Sequence, residues 1–210
     1  MTPELFFKIM FKPWMMLLVL GFIAISFFYL DKPLALFLHE WQEHHDFSIL
    51  HAITAIGSVY KWTAVILMVA LACRYTVRKK TLETRLWVLL ILVAVPNMLC
   101  SVFKVLVGRA RPEVLFETQS FGCYGWAFHN THWSFPSGHT TNMTALILSV
   151  MILFSWHGFW FVPLALMVIA TRVLLTFHYL SDVLATMYLT TLEVGMLYYL
   201  LKKYGVKTLA

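Results

Sequence analysis

The feature that most constrains this chain is a series of long apolar segments separated by short polar ones. Of its 210 residues, 60% are hydrophobic and only 12% are charged, whereas soluble domains carry about 25% charged residues. One soluble core of this size would not hide so much apolar surface, and a membrane-spanning helix needs about 20 mostly apolar residues. Six segments meet that requirement, at about 13–30, 58–73, 86–107, 137–156, 159–176 and 182–201. The sequence therefore predicts an all-α membrane protein with six transmembrane helices in a single domain, 1–210.

Two other stretches have the composition of short interfacial helices. Residues 31–50 mix Glu40, Glu43 and several histidines with apolar residues, and residues 2–11 form a similar short segment before the first apolar run. Such amphipathic segments are typical of helices that lie in the membrane interface. The first apolar run is long for a signal-peptide core and no small-residue cleavage site follows it, so we expect it to be retained as a transmembrane helix.

The distribution of basic residues predicts the orientation. Short cytoplasmic loops carry an excess of lysine and arginine, and an inside N-terminus puts ten of the 16 basic residues on the cytoplasmic side: Lys8, Lys12, Arg74, Arg78, Lys79, Lys80, Arg85, Lys202, Lys203 and Lys207. Both termini are then cytoplasmic, in a multi-pass protein of the plasma (inner) membrane. These loops account for the net charge of +6, and we expect no nucleic-acid partner. Orientation does not explain Lys104, Arg109, Arg111 and Arg172, which all fall on the outward side.

Three motifs converge on that outward side. Lys104 and Arg111 close the third apolar run, and spaced seven apart on a helix they would share a face. Ser137, Gly138 and His139 open the fourth run, where free helix N–H groups and a glycine allow a phosphate to approach closely. Each motif alone also fits a structural role, either as cations that reach for lipid headgroups or as an ordinary helix cap.

The third motif places an arginine, a histidine and an aspartate around the end of the fifth run. An arginine here, Arg172, binds anions well, and a carboxylate four residues after His178 would orient the imidazole and make it more basic. We expect the fifth helix to end near Thr176 or Phe177, which leaves His178 in a turn. Ser181 would then cap the sixth helix, and Asp182 would face back to His178.

These residues together resemble a known family. Lys104 followed after six residues by Arg111-Pro112 resembles the first signature of the type 2 phosphatidic acid phosphatase (PAP2) superfamily, Pro136-Ser137-Gly138-His139 its second, and Arg172, His178 and Asp182 its third, with Thr171 where serine is common. The resemblance implies that Lys104, Arg111, Arg172 and the Ser137–Gly138 backbone bind a phosphate. It further implies that His178 attacks phosphorus to form a phosphohistidine, that Asp182 orients His178, and that His139 protonates the leaving oxygen. The same resemblance implies no metal and no cofactor.

The expected activity is that of a membrane lipid phosphatase acting on a phosphomonoester or diphosphate at the extracytoplasmic leaflet. The candidate substrates are undecaprenyl diphosphate, phosphatidylglycerophosphate, phosphatidic acid and a lipid A phosphate. A lipid phosphotransferase with the same site is one alternative, and a non-enzymatic anion transporter or a haem-binding redox protein are others. The spacing of His39, His44, His45, His129 and His132 matches no compact metal site, and Arg109 is expected to contact a headgroup or solvent.

Overall fold

Long apolar helices build the fold of the computed structural model, which describes residues 2–154 and 159–206. Four helical segments in these ranges are long and apolar enough to cross a membrane: Pro13–Glu43, Ser48–Val77, Lys80–Val107 and Leu180–Lys203. Two shorter apolar helices occupy Gly138–Phe154 and Phe159–Leu174. The all-helical, multi-pass membrane fold is therefore confirmed, while six complete spans and the orientation of the termini stay predictions.

The first half of the chain differs from the predicted pattern at residues 31–50. Helix α1 (Pro3–Met10) is followed by α2 (Pro13–Ile25), a π-helical turn (Ser26–Leu30) and α3 (Asp31–Glu43). The last three form one continuous helix, so residues 31–43 extend the first apolar helix and are not a separate interfacial segment. The helix continues through Asp31 because this carboxylate is buried, at 1% exposure, among hydrogen-bond donors.

Most of the remaining helices follow the predicted apolar segments, whereas two short helices, Ser48–Ile56 and Pro112–Thr118, lie outside them. They are α4 (Ser48–Ile56), α5 (Val59–Ala72, extended by a π-helical turn over Cys73–Val77), α6 (Lys80–Val107), α7 (Pro112–Thr118), α8 (Gly138–Phe154), α9 (Val162–Leu174) and α10 (Leu180–Lys203), with a 3₁₀ turn at Asn130–His132. Helix α6 begins six residues before the predicted run, and α10 begins two residues before Asp182. The predicted end of the fourth run at Trp156 lies outside the described residues.

Helices α6, α8 and α10 form the centre of the bundle. Leu92 and Val93 of α6, Ala145 of α8 and Val194 of α10 are fully buried there. Without a hydrophobic driving force between helices in lipid, close packing depends on small residues at the contacts. Ala145 provides such a contact inside the bundle.

The C-terminal end of α6 turns the chain into the loop that covers one end of the bundle. Gly108 has a φ of 57° and its N–H donates to the carbonyl oxygen of Lys104 at 3.1 Å. Glycine adopts this left-handed conformation without strain, and a Cβ at Gly108 would overlap the Gly125 carbonyl and lie 2.9 Å from the Cβ of Ala127. This turn leads from Lys104 at the helix end to Arg109 and Arg111 in the loop.

Candidate active site

The residues of the three sequence motifs meet at one end of the bundle. Lys104 lies in the last turn of α6 and Arg172 in the last turn of α9. His139 lies in the first turn of α8 and Asp182 in the first turn of α10. Helix α9 ends at Leu174, so His178 lies in the turn before α10, as predicted. Arg111 does not continue α6, because that helix ends at Val107.

His178 is held in one tautomer by the backbone. Its side chain is buried and its Nδ1 lies 2.5 Å from the carbonyl oxygen of Ser134. A carbonyl oxygen accepts hydrogen bonds and cannot donate them, so Nδ1 carries the proton and the neutral ring keeps its lone pair on Nε2. Burial lowers the pKa of His178 well below its ordinary value, and the charges of Arg172, Lys104 and Arg111 act in the same direction. The site therefore holds a neutral imidazole with a free nitrogen beside cationic groups.

Asp182 does not contact His178 in the way the sequence predicted. Its Oδ1 accepts a hydrogen bond from Nη1 of Arg109 at 2.5 Å, and its Oδ2 accepts from Oγ of Ser134 at 2.6 Å and from the backbone N–H of Tyr179 at 3.0 Å. The histidine and the aspartate thus share Ser134, which binds one through its carbonyl and the other through its hydroxyl. The expectation of a direct His178–Asp182 contact is wrong, because Ser134 lies between them.

The prediction for Arg109 is also wrong. Its side chain is buried, at 4% exposure, and forms ion pairs with Asp31 and Asp182 at 2.6 and 2.5 Å. The guanidinium also lies 4.6 and 4.7 Å from the ring centroids of Phe27 and Tyr179. A cation enclosed by two carboxylates and two aromatic rings is not available to a lipid headgroup or to solvent.

Ser181 does not cap α10, which begins one residue earlier at Leu180 after the N-cap residue Tyr179. Its backbone N–H and its hydroxyl both donate to Asp31 instead. The N-terminal capping function belongs to Asp182, whose carboxylate accepts from the Tyr179 N–H. The start of α10 is therefore bonded to the first long helix.

The other three cations lack such partners. Within residues 2–154 and 159–206, Lys104, Arg111 and Arg172 form no salt bridge with a carboxylate. The Nε atoms of Arg111 and Arg172 are buried without a hydrogen-bond partner in the same part of the chain. Nε of the enclosed Arg109 is unpaired there as well, so it is the lack of carboxylate partners that distinguishes these three cations and suits them to bind acceptor oxygens, such as those of a phosphate.

The start of α8 contributes to this cationic pocket. A Cβ at Gly138 would lie 3.5 Å from Nζ of Lys104, so the ammonium group rests directly over the glycine. The first N–H groups of a helix have no partner within it, which leaves the Gly138 amide able to meet an anion. The Ser137 amide is already occupied, since it donates to Oγ1 of Thr186 at 3.0 Å. Ser137 therefore fixes the position of the helix start and is not a backbone donor to phosphate.

Helix α4 and the residue after it fix two of the site residues. Nη1 of Arg172 donates to Oγ1 of Thr54 at 2.7 Å. A Cβ at Gly57 would lie 2.7 Å from Cδ2 of His139, so the glycine leaves just enough room for the imidazole ring. Both contacts join residues more than 80 positions apart, and neither Thr54 nor Gly57 was predicted from the sequence as a site residue.

Ser134 and Asp31 were likewise not predicted as site residues. Ser134 is outside the recognised motifs, and only the three-dimensional turn brings it between His178 and Asp182. For Asp31, the sequence predicts the need for a partner, since a carboxylate at the edge of an apolar run is costly when it is unpaired. As for metal binding, the described residues contain no cluster of three or more His, Cys, Asp or Glu side chains that could hold an ion.

The fold and the site define a multi-pass membrane protein with a histidine and a cationic pocket at one end of its helical bundle. The chain belongs to the PAP2 superfamily, since residues 85–205 match the model of that family. This confirms the family resemblance of the sequence motifs.

Named relatives share part of the chain. A segment of 89 residues is 34% identical to proteins named lipid A 1-phosphatase from Rhizobium johnstonii and Rhizobium etli. The match covers 42% of this chain but only 36% and 38% of the length of those relatives. The crystal structure of a protein described as the first transmembrane PAP2 type phosphatidylglycerolphosphate phosphatase from Bacillus subtilis has a TM-score of 0.55. It covers 96% of this chain and 94% of its own at 18% identity, so this similarity supports the fold alone.

Proposed function

We propose that this protein is a membrane lipid phosphatase that hydrolyses a phosphomonoester or diphosphate on a lipid headgroup through a phosphohistidine at His178. The observation that carries the proposal is the pairing of a neutral His178, whose Nε2 is free, with three cations that lack carboxylate partners in the described residues. A nucleophile beside unpaired cationic donors suits attack on a phosphoryl group, where catalysis rests on positioning and on stabilising negative charge.

The reaction proceeds in two displacements. Nε2 of His178 attacks phosphorus, the bond from phosphorus to the lipid oxygen breaks, and His139 in its protonated form gives its proton to that oxygen. Lys104, Arg111, Arg172 and the Gly138 N–H bind the phosphoryl oxygens in both steps. In the second step the neutral His139 takes a proton from water, the water oxygen attacks phosphorus, and the phosphorus–nitrogen bond breaks to release phosphate. Each cycle returns both histidines to their starting protonation states.

Asp182 acts on His178 through Ser134. Its carboxylate fixes the Ser134 hydroxyl at 2.6 Å, and the Ser134 carbonyl fixes Nδ1 of His178. The negative charge of Asp182 also favours the positive charge that the imidazole ring acquires as it attacks phosphorus. Asp182 is therefore a positioning residue in this mechanism.

The membrane supplies the substrate, whose tails remain in the bilayer while the headgroup reaches the pocket. The basic loop between α5 and α6 supports an extracytoplasmic site, because it lies at the opposite end of α6 from Lys104. The similarity to two lipid A 1-phosphatases over part of the chain makes a lipid A phosphate the first substrate to test. Phosphatidylglycerophosphate, phosphatidic acid and undecaprenyl diphosphate complete the panel.

The test is phosphate release by the purified protein in detergent micelles, with EDTA present, over these four lipid phosphates. We expect release from at least one lipid, and loss of release in His178→Ala and His139→Ala proteins that keep the wild-type melting temperature within a few degrees. Acid-labile labelling of the protein by a ³²P-lipid should disappear in His178→Ala. A well-folded His178→Ala protein with full activity would refute the proposal. Transfer of phosphate to an added lipid alcohol in place of water would identify a phosphotransferase.

A further inference from the structure

A carboxylate on the first long helix is built into the site although it belongs to none of the three motifs. Asp31 is 1% exposed and its oxygens accept from Nη2 of Arg109 at 2.6 Å, from the backbone N–H of Ser181 at 2.9 Å and from the Ser181 hydroxyl. The hydroxyl of Ser26 is a weaker partner at 3.4 Å. Asp31 lies more than 50 residues before the segment that matches the PAP2 family, 85–205.

Asp31, Arg109 and Asp182 form a cluster in which two carboxylates share one cation. One guanidinium, that of Arg109, lies between the carboxylates of Asp31 and Asp182 and bonds each through a different nitrogen. Aromatic rings of Phe27 and Tyr179 lie against the guanidinium, so water does not screen the interaction as it would at a surface. Because Arg109 is divided between two carboxylates, Asp182 is only partly neutralised and keeps negative charge for its other partner, Ser134.

Ser134 connects the Asp31–Arg109–Asp182 cluster to the candidate nucleophile, His178. Its N–H donates to the carbonyl of Arg109 at 3.0 Å, its hydroxyl donates to Asp182 at 2.6 Å, and its carbonyl accepts from Nδ1 of His178 at 2.5 Å. All three of its bonding groups are therefore fixed by the cluster. A change in the charge at Arg109 reaches His178 through one residue.

We propose that Asp31 is a positioning residue for His178: by sharing Arg109 with Asp182, it keeps the negative charge of Asp182 directed at Ser134 and His178. This inference rests on the proposed function, in which His178 is the nucleophile. It makes the first long helix a part of the active site. Asp31 acts on the rate of the chemical step and not on phosphate binding, because Arg109 is enclosed and does not reach the cationic pocket.

The decisive comparison is between Asp31→Asn and Asp31→Glu in the full-length protein. Asparagine keeps the shape of aspartate and loses the charge, whereas glutamate keeps the charge and adds a methylene. We expect kcat and the rate of ³²P-phosphohistidine formation to fall about tenfold in Asp31→Asn, the effect of one lost charge-assisted hydrogen bond, with KM within about twofold of wild type. Asp31→Glu should retain more activity than Asp31→Asn. A role in packing alone predicts the reverse order, because asparagine fits the aspartate site better.

Asp46→Asn is the matched control. Asp46 follows the same helix, is exposed, and accepts hydrogen bonds from the N–H and hydroxyl of Ser48, two residues on, so kcat and KM should stay at the wild-type values. If Asp31→Asn does not yield folded protein, Ser181→Ala replaces it, since it removes the hydroxyl that donates to Asp31 and accepts from Nη1 of Arg109 at 2.8 Å, and it removes no charge. We expect kcat to fall about threefold in that variant, less than in Asp31→Asn, because the charges of Asp31 and Arg109 both remain.

The outcomes separate the two proposals. No phosphohistidine in the wild-type protein would refute the proposed function. Labelling of His178 in the wild type together with wild-type kcat in a folded Asp31→Asn protein, or in Ser181→Ala where it takes its place, would overturn the role of Asp31 and leave the proposed function standing. A rise in KM at unchanged kcat would also overturn it, because Asp31 would then act on substrate binding.

Discussion

A single methyl group added at Gly57 tests whether the position of His139 controls the reaction. Gly57 is buried between α4 and α5 and has a φ of −73°, so alanine fits its backbone conformation. Its Cβ would lie 2.7 Å from Cδ2 of His139, 2.7 Å from Cγ1 of Val168 and 3.3 Å from the Thr54 carbonyl oxygen. Carbon atoms in contact are normally about 3.5 Å or more apart. The imidazole, the valine or the backbone must therefore move by about 0.8 Å.

The expected magnitude follows from that displacement. A misplacement of about 1 Å in an active site can lower the rate about 10²-fold, and His139 must reach both the leaving oxygen and the attacking water. We expect kcat of Gly57→Ala to fall about 10²-fold. Overpacking in a well-packed interior costs about 1–3 kcal/mol, so the protein should remain folded but melt at a lower temperature.

The assay is the rate of phosphate release at saturating lipid phosphate, with thermal unfolding measured in the same detergent. Gly21→Ala is the control, since a Cβ at Gly21 would meet nothing within 4 Å. Its activity should be unchanged, and its melting temperature should not fall, because alanine is the better helix former. Wild-type kcat in Gly57→Ala, combined with a lower melting temperature, would refute the reasoning. That result would mean that the methyl group displaces Val168 or the backbone and leaves His139 where the reaction needs it.

Two further predictions concern His178 and Arg172. The pKa of His178 is lowered by burial, so the folded protein keeps this ring neutral well below pH 6.5. The rate of phosphohistidine formation should therefore fall only at still lower pH. A fall in that rate centred near the ordinary histidine pKa of about 6.5 would contradict this prediction. The unfolded chain does take up that proton as pH falls through about 6.5, so the melting temperature should decline below this pH, and His178→Gln should flatten the decline. Thr54→Val removes the hydrogen-bond acceptor of Arg172 while keeping nearly the same side-chain shape. A buried hydrogen bond to a charged group contributes about 1.5–3 kcal/mol, so its loss should lower kcat/KM by about 10-fold or more. An unchanged kcat/KM would show that Thr54 does not position Arg172.

The sequence predicted the meeting of the three motifs because each one lies at the end of an apolar segment. The length of an apolar segment predicts where its helix ends, and an ionisable group near such an end, which is costly to bury, indicates a functional site. That reasoning placed Lys104, Arg172 and His178 at the same end of the bundle, and it correctly left His178 in a turn. The predicted end of the first transmembrane helix at residue 30 is wrong, because buried partners of Asp31 allow the helix to continue.

The connections between the motifs were not predictable from local patterns. Ser134 bonds to Asp182 across 48 positions, and Arg109 bonds to Asp31 across 78. A spacing of four residues suggested that Asp182 faces His178, but at the start of α10 the carboxylate turns back to the Tyr179 N–H, as a residue in the first turn of a helix often does. That local bond directs Asp182 away from a direct contact and towards Ser134 and Arg109.

Charge counting shows that Arg109 needs a partner, although it does not single out Asp31 among the outward acidic residues. Four basic residues at the outward ends of apolar segments have no role in orientation, and three of them belong to the phosphate motifs. Arg109 is the fourth, and Asp31 is an acidic residue at an apolar edge on the same side. A buried carboxylate and a buried guanidinium are each costly alone and acceptable as a hydrogen-bonded pair. The structure shows that Asp31 is the partner. Their pairing requires the first long helix to pack against the loop that follows α6, which is the packing that joins Asp31 to the site.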